Sequence, residues 1–295
     1  MKNKLEYTAG ERVFNCFNYI FITIIMLIML YPMWHVLMAS VSDAKQLSAH
    51  SGVLLLPDGW SLEAYKMMLK NPMILIGYKN TLLIMVMGLF SNMVLTTIAA
   101  YVLSRKGLRL NKFFAMFIIF TMYFSGGLIP GYRTVMDLGL GNNILSLVLP
   151  CAINTFNLIV LRTGFAAIPE SLTESAKLDG AGDIRVLTDI IIPLSKANLS
   201  VILLYYAVYH WNSWFNAMLF IDDRNLYPLQ LVLREILIQN DTSTMMAGVT
   251  TEDSGFLSET IKYAIIIVSV VPILCVYPFI QKNFTKGVMI GAVKG

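Results

Sequence analysis

Six long runs free of Asp, Glu, Lys and Arg alternate with short charged stretches: residues 13–42, 80–104, 113–132, 138–161, 197–221 and 263–281. Each has roughly 19 residues or more, close to the ~20 an α-helix needs to cross ~30 Å of hydrocarbon. Lipid offers backbone amides no partner, so each run must close its hydrogen bonds within a helix. The strands of a membrane barrel would instead read as ~10-residue segments of alternating polarity. The pattern therefore predicts an all-α integral membrane protein with six transmembrane helices. Residues 1–295 form one membrane domain, with no internal repeat, low-complexity tract or appended soluble domain.

Composition agrees with that pattern. Of 295 residues, 57% are hydrophobic and 14% charged, against ~25% charged in soluble domains. Lys2, Lys4 and Arg12 precede the first run. That run is too long for a signal-peptide core and ends in no small-residue cleavage site, so it is expected to remain as a first helix. Cys16, Cys151 and Cys275 fall inside runs, with no metal-ligand spacing or even pairing, and are expected to be small buried residues. His35, His50 and His210 form no ligand cluster. The net charge of +4 implies no nucleic acid, because the cations sit beside the runs.

Those cations set an orientation. Arg105, Lys106, Arg109 and Lys112 lie between runs two and three, and Lys282, Lys286 and Lys294 come after run six, both without acids. These segments are expected to be cytoplasmic, with both termini inside. Between runs five and six, Asp222, Asp223, Glu235, Asp241, Glu252, Asp253 and Glu259 outweigh Arg224 and Arg234, so that loop is expected outside. Two external loops are long, 43–79 and 222–262. The first contains Trp60-Ser61-Leu62-Glu63-Ala64-Tyr65, a candidate helix start. The second contains Tyr227-Pro228-Leu229 and then Leu231, Val232, Leu233, Ile236 and Leu237, an amphipathic segment.

The one long internal loop, 162–196, is the most informative part. It contains Ile168-Pro169-Glu170-Ser171-Leu172-Thr173-Glu174-Ser175-Ala176-Lys177-Leu178-Asp179-Gly180-Ala181-Gly182-Asp183, then Ile190-Ile191-Ile192-Pro193-Leu194. This predicts a helix, a turn and a second helix. Pro169 suits a first turn and Gly180 a left-handed position past the end. Asp183 is placed to cap the second helix; alternatively, Ser171 and Glu174 form a capping box. Ala176 and Gly180 make a small-residue patch that a partner surface could approach, with Glu174 nearby to pair with a cation.

This loop resembles the motif of permease subunits in ATP-binding-cassette importers: Glu-Ala-Ala, three residues, Gly, nine residues, Ile, one residue, Leu-Pro. Glu174, Ala176, Gly180, Ile190 and Pro193 match at that spacing, while Ser175 stands for Ala and Ile192 for Leu. Ser125-Gly126-Gly127-Leu128-Ile129-Pro130, Trp211-Asn212, Tyr227-Pro228-Leu229 and the tail Lys286-Gly287 to Gly291-Ala292-Val293-Lys294-Gly295 extend the likeness to carbohydrate-importer permeases of the maltose-transporter type, with Ser125–Pro130 closer to the complex-oligosaccharide branch. The resemblance implies a type I importer permease fold in the cytoplasmic membrane of a bacterium, translocating an oligosaccharide or related carbohydrate. It implies as partners a second permease, two ATP-binding-cassette ATPases that use ATP and Mg, and an extracellular, lipid-anchored solute-binding protein. Glu170, Glu174, Ser175, Ala176, Asp179, Gly180 and Ala181 would form the ATPase-coupling surface. The other reading of Glu174 is an ordinary solvated charge or cap.

No ATPase machinery is visible. A phosphate loop needs Gly-x-x-x-x-Gly-Lys-Ser/Thr, and the nearest string, Gly126 to Gly131-Tyr132-Arg133-Thr134, lacks the Lys and reads as a turn. The chain is thus expected to bind no cofactor and catalyse no reaction. In run five, Asn198, Tyr205, Tyr209, Asn212 and Asn216 fall on one helical face. Amides and flat rings suit a sugar's hydroxyl edges and C–H faces, so Tyr205, Tyr209, Asn212 and Asn216 are candidates for the substrate path, with Asn154 and Asn157 on run four. Equally, such residues bond across membrane helices. Trp211 and Trp214 read as interface anchors. The rival class is a self-sufficient secondary transporter, but the runs hold no ionisable carrier of the usual kind.

The charge bias generates one test. Single cysteines in a cysteine-free variant, probed in intact cells with an impermeant thiol reagent, should label within 222–262 and be protected within 105–112. The reverse pattern would invert the topology.

Overall fold

The computed structural model describes residues 8–105, 107, 110–239 and 256–275. Among them the chain is helical, with one isolated antiparallel bridge, Ser42 to Trp60, and no strand. The described residues form two compact units: 8–71 with 256–268, and 72–239 with 269–275.

The first unit is built on α1 (Ala9–Ser40). Thr8 and Glu11 close a capping box at its start, satisfying amide donors that the first turn leaves open. From Val13 to Leu30 its large apolar side chains stand exposed, as expected of a helix that meets lipid or neighbouring protein. Burial begins at Met38 and Ala39, which pack with Leu54, Leu47 and Tyr263. Two short helices come next, α2 (Ala44–Ala49) and α3 (Glu63–Lys70). The intervening chain is stitched to the end of α1: the Trp34 indole donates to the Leu55 carbonyl (3.0 Å), and the Ser42 hydroxyl accepts from the Asp58 amide (3.1 Å).

The second unit is organised by α4 (Pro72–Ser104), 33 residues and about 50 Å long. It starts eight residues before the expected run at 80. After it come α5 (Asn111–Tyr123), α6 (Leu128–Asp137), α7 (Leu145–Cys151, closing in a tight turn), α8 (Thr155–Ala166) and α9 (Glu170–Leu178). The remaining helices of this unit are α10 (Asp183–Leu194), α11 (Lys196–Trp211), α12 (Phe215–Phe220) and α13 (Leu229–Gln239); of α14 (Phe256–Cys275), residues 256–268 belong to the first unit and 269–275 to this one.

Three helices, α1, α4 and α14, are each long and apolar enough to cross a membrane unbroken. The other runs are not straight helices. The run 113–132 divides into α5 and α6 at a 112° bend. Gly127 there takes a left-handed φ of 91°, and Pro130, which has no N–H, lies in the first turn of α6, where no donor is required. Residues 128–137 are therefore helix rather than the turn expected around Gly131. Run 138–161 bends by 50° between α7 and α8, where Asn154 caps the new helix by accepting from the Asn157 amide (3.1 Å). Run 197–221 stops at Trp211 and resumes at Phe215. The Asn212 side chain turns back to the Val208 carbonyl (2.9 Å), a local bond that competes with helix continuation.

Two clusters fill this unit. One joins Ala100, Tyr101 and Leu103 of α4 to Leu158, Leu161 and Phe165 of α8, to Val186, Leu187 and Ile191 of α10, and to Ile202 and Tyr206 of α11. The other joins Ile84, Val135, Leu147, Val148, Ala217, Phe220, Ile221 and Leu231. Between them Gly88 of α4 leaves room for the His210 imidazole, which a Cβ would strike. The amphipathic segment after Tyr227 is α13, with Leu229, Leu231, Val232, Leu233 and Ile236 buried.

Several sequence expectations are corrected here. Cys16 and Cys275 are exposed and Cys151 is half-buried. Cys16 and Cys275 point out of the chain's own core because an apolar helix face needs no intramolecular cover in lipid. Trp211 is buried, its indole donating to the Ser269 carbonyl (3.2 Å), so it is a helix–helix contact. The tail 286–295 lies outside the described residues.

Candidate functional site

The internal loop folds as a helix, a tight reversal and a second helix. Pro169 stands just before α9 and no side chain caps it, so the expected Ser171–Glu174 box is absent. Its far end closes through two backbone bonds: the Gly180 amide donates to the Lys177 carbonyl (3.0 Å) and the Ala181 amide to the Ala176 carbonyl (2.9 Å). This is a Schellman closure, which needs a left-handed residue past the helix end. Gly180 supplies it with φ 82°, and no atom lies within 4 Å of where its Cβ would be. The motif glycine thus serves the backbone reversal and leaves an open face above it.

Asp183 does not cap α10, whose preceding residue is Gly182. It pairs instead with Lys177 across the reversal (Nζ to Oδ1, 2.9 Å). That bond holds the Asp183 carboxyl below the usual carboxylate range and the Lys177 ammonium above its usual range. The expected small-residue patch is split by helix periodicity. Thr173 and Ala176 turn inward, Thr173 buried and Ala176 packed on the first cluster together with Ala181. Glu170, Glu174, Ser175, Asp179 and Gly180 remain exposed. Beside them stand Leu178 at 89% exposure and Ile184 at 81%. Two nearly bare aliphatic side chains flanking a rigid turn, with carboxylates alongside, suit a protein surface that fills the gap. The sequence reading passed over both, although they are apolar positions in an otherwise polar loop.

The base of α4 grips this loop. Arg105 donates from Nη1 to the Thr173 hydroxyl (3.1 Å), and its guanidinium lies 4.6 Å over the Tyr101 ring. The Tyr101 hydroxyl donates to Asp183 Oδ1 (3.4 Å). Sequence reading treated Arg105 only as a topology charge and missed Tyr101 and Thr173, whose partners lie about 70 to 80 residues away along the chain.

The polar residues of run five do not form the single helical face expected. Asn198 packs on Gly164 of α8, where a Cβ would collide with its amide. Tyr205, Tyr209 and Asn212 share the exposed side of α11. Asn216 lies on α12, beyond the break. It rejoins them through Cys151, whose thiol shares a hydrogen bond with the Tyr209 hydroxyl (2.9 Å) and accepts from the Asn216 amide (3.4 Å). Asn157 is buried, and Asn154 is occupied as a cap. Its backbone N–H donates to the Tyr206 hydroxyl (2.9 Å), which bonds in turn to the Thr96 hydroxyl (2.8 Å). Tyr206, at 2% exposure, is the structural tyrosine of α11, whereas Tyr205 and Tyr209 face outward. Among the described residues no group of His, Cys, Asp or Glu has metal-binding geometry.

Comparison with known proteins supplies the context. Residues 112–290 match the family described as binding-protein-dependent transport system inner membrane component. The chain is 38% identical to the polygalacturonan/rhamnogalacturonan transport system permease protein YtcP of Bacillus subtilis, covering 97% of this chain and 99% of that one. It is also 38% identical to protein LplC of the same organism, over 99% and 98%. Its structure resembles a chain from the crystal structure of a bacterial ABC transporter involved in the import of the acidic polysaccharide alginate. The TM-score is 0.86 at 32% identity, covering 94% of this chain and 99% of that one.

The Lys177–Asp183 pair predicts a pH profile. Asp183, with a lowered pKa, contributes above the ordinary carboxylate value and loses its contribution as pH falls through the lowered one. Lys177, with a raised pKa, contributes below the ordinary ammonium value and loses it as pH rises through the raised one. The turn should therefore be equally ordered from about pH 5 to about pH 9 and loosen only in stronger acid or base. A spin label at Ser175→Cys should report constant mobility across that window and higher mobility at neutral pH in a Lys177→Gln background. A mobility step near neutral pH would contradict the pairing.

Proposed function

This chain belongs to the family of binding-protein-dependent transport-system inner membrane components, and from that premise we propose what it couples to, what it carries and how it lies in the membrane. It is a permease subunit of an ATP-binding-cassette importer for sugars. The relatives lend no support to a self-sufficient secondary transporter. Its cargo is an oligosaccharide, and fragments of acidic plant or algal polysaccharides are the first to test, given what the relatives YtcP and the alginate importer carry. The surface of α9 and its closing turn, Glu170, Glu174, Ser175, Asp179 and Gly180 with Leu178 and Ile184, docks a separate ATPase, while Ala176 and Ala181 seat the turn from beneath. The observation that carries this is the Schellman turn at Gly180, which fixes two bare aliphatic side chains beside carboxylates.

ATP and Mg are used by the docked ATPases, and this chain binds neither. The assembly comprises a second permease, two ATPases and an extracellular binding protein. The internal loop and both termini lie in the cytoplasm of a bacterial cell, as the basic residues of short loops favour. Tyr205, Tyr209 and Asn212, joined by Asn216 through Cys151, line the sugar path. Asn154 and Asn157 hold its scaffold.

The test is purification of the chain with its co-expressed partners, followed by ATPase assays with binding protein and a panel of oligogalacturonides, alginate oligosaccharides and neutral maltodextrins. ATPase subunits should co-purify with wild type and be lost with Leu178→Asp. At least one oligosaccharide should stimulate hydrolysis several-fold. Retention of the ATPases by Leu178→Asp together with Glu174→Lys would remove the docking assignment, and the absence of stimulation by every glycan would remove the cargo.

A further inference from the structure

Two regions with separate proposed roles, the docking turn and the Cys151 cluster, are both held by one helix. At its base, α4 reaches the turn at two points, through Arg105 to Thr173 and through Tyr101 to Asp183. Three turns further along, Asn92 donates from its amide to the Cys151 carbonyl (3.1 Å). Cys151 carries the hydrogen bonds to Tyr209 and Asn216. By contrast α10 and α11, the direct chain connection from the docking turn, meet at an 86° bend at Ser195, and Leu187–Ile191 within α10 is a π-helical turn. A bent joint transmits displacement poorly compared with an unbroken helix.

We propose that α4 is the strut that carries ATPase movement to the sugar path, and that Arg105 is the positioning residue that latches it to the docking turn. The latch is built to release. Arg105 forms no close ion pair among the described residues, with the Asp183 carboxylate acting on it only at longer range, and its Nε and Nη2 are buried without a hydrogen-bond acceptor there. One hydroxyl and one aromatic face hold the cation. Such a seat is weaker than a bidentate ion pair, so modest motion of α9 can shift it. Arg105 acts through Tyr101 and Asn92 and touches no sugar.

This inference rests on the reading of α9 as the ATPase-docking element, and its test separates the two. The native Cys151 thiol serves as reporter. The whole importer, with Cys16→Ser and Cys275→Ser in this chain, is treated with N-ethylmaleimide, and the labelling rate at Cys151 is read by peptide mass spectrometry. Rates are compared without nucleotide and after trapping with ATP and vanadate. In the otherwise unmodified chain the rate should change several-fold on trapping. Arg105→Gln should bring the ratio of the two rates close to one while the ATPases still co-purify and trap nucleotide. Arg105→Lys, which restores a cation over Tyr101 and a donor to Thr173, should recover part of the change.

A full several-fold change in Arg105→Gln would overturn the proposal. So would loss of the ATPases from that variant, because Arg105 would then merely maintain the docking turn. If the chain with Arg105 intact kept its ATPases but showed no change at Cys151, the strut alone would fall. If that chain bound no ATPase, the docking assignment would fall and the strut with it.

Discussion

Broken helices in a membrane leave backbone groups without intrahelical partners, and the structure depends on how α4 satisfies them. An unpaired amide or carbonyl in hydrocarbon costs several kcal/mol. The polar side chains buried on α4 meet that demand one by one. Asn80 donates to the Asn225 and Tyr227 carbonyls (2.7 and 3.0 Å), and Thr81 accepts from the Leu229 amide (2.8 Å) where α13 begins. Asn92 bonds the Cys151 carbonyl at the end of α7. Thr96 bonds the Tyr206 hydroxyl, which accepts from the Asn154 amide at the start of α8. The carbonyl of Leu103, near the end of α4, accepts from Asn111 (3.2 Å) and Arg162 (2.9 Å). An otherwise apolar helix thus carries polar residues where its neighbours break.

That arrangement also ties the internal loop and the Cys151 cluster to the same helix. The docking turn is closed by its own backbone and held by α4 through a hydroxyl, a ring and a carboxylate. The cluster of Tyr209 and Asn216 is anchored at Cys151 by Asn92 and leaves Tyr205 and Tyr209 outward. Backbone groups come free at the breaks, and α4 keeps those breaks in register.

Much of this was legible in the residues. Charge-free runs marked apolar helices, and Pro169 and Gly180 marked the helix and turn of the internal loop. The helix over Glu170–Leu178 and the left-handed Gly180 follow from local chemistry, because their determinants are neighbours in sequence. The bends at Gly127 and Ala152–Asn154 were hidden because hydropathy counts apolar residues and is blind to backbone direction. The single face proposed for run five failed at Asn212 for the same reason, since its side chain ends α11 by bonding Val208. Arg105 with Thr173, and Asn92 with Cys151, were invisible because nothing local records a contact across 59 or 68 residues.

Asn92 offers the most direct measurement. Asn92→Val exceeds the native side chain by about one methyl group and removes the donor to Cys151, so packing changes little and one buried carbonyl loses its partner. If α4 holds the breaks together, thermal unfolding of the purified importer should show a loss of about 1–3 kcal/mol, with faster thiol labelling at Cys151. An unchanged or raised unfolding temperature, with unchanged labelling, would show that the polar residues of α4 do not hold the broken helices and would contradict the account.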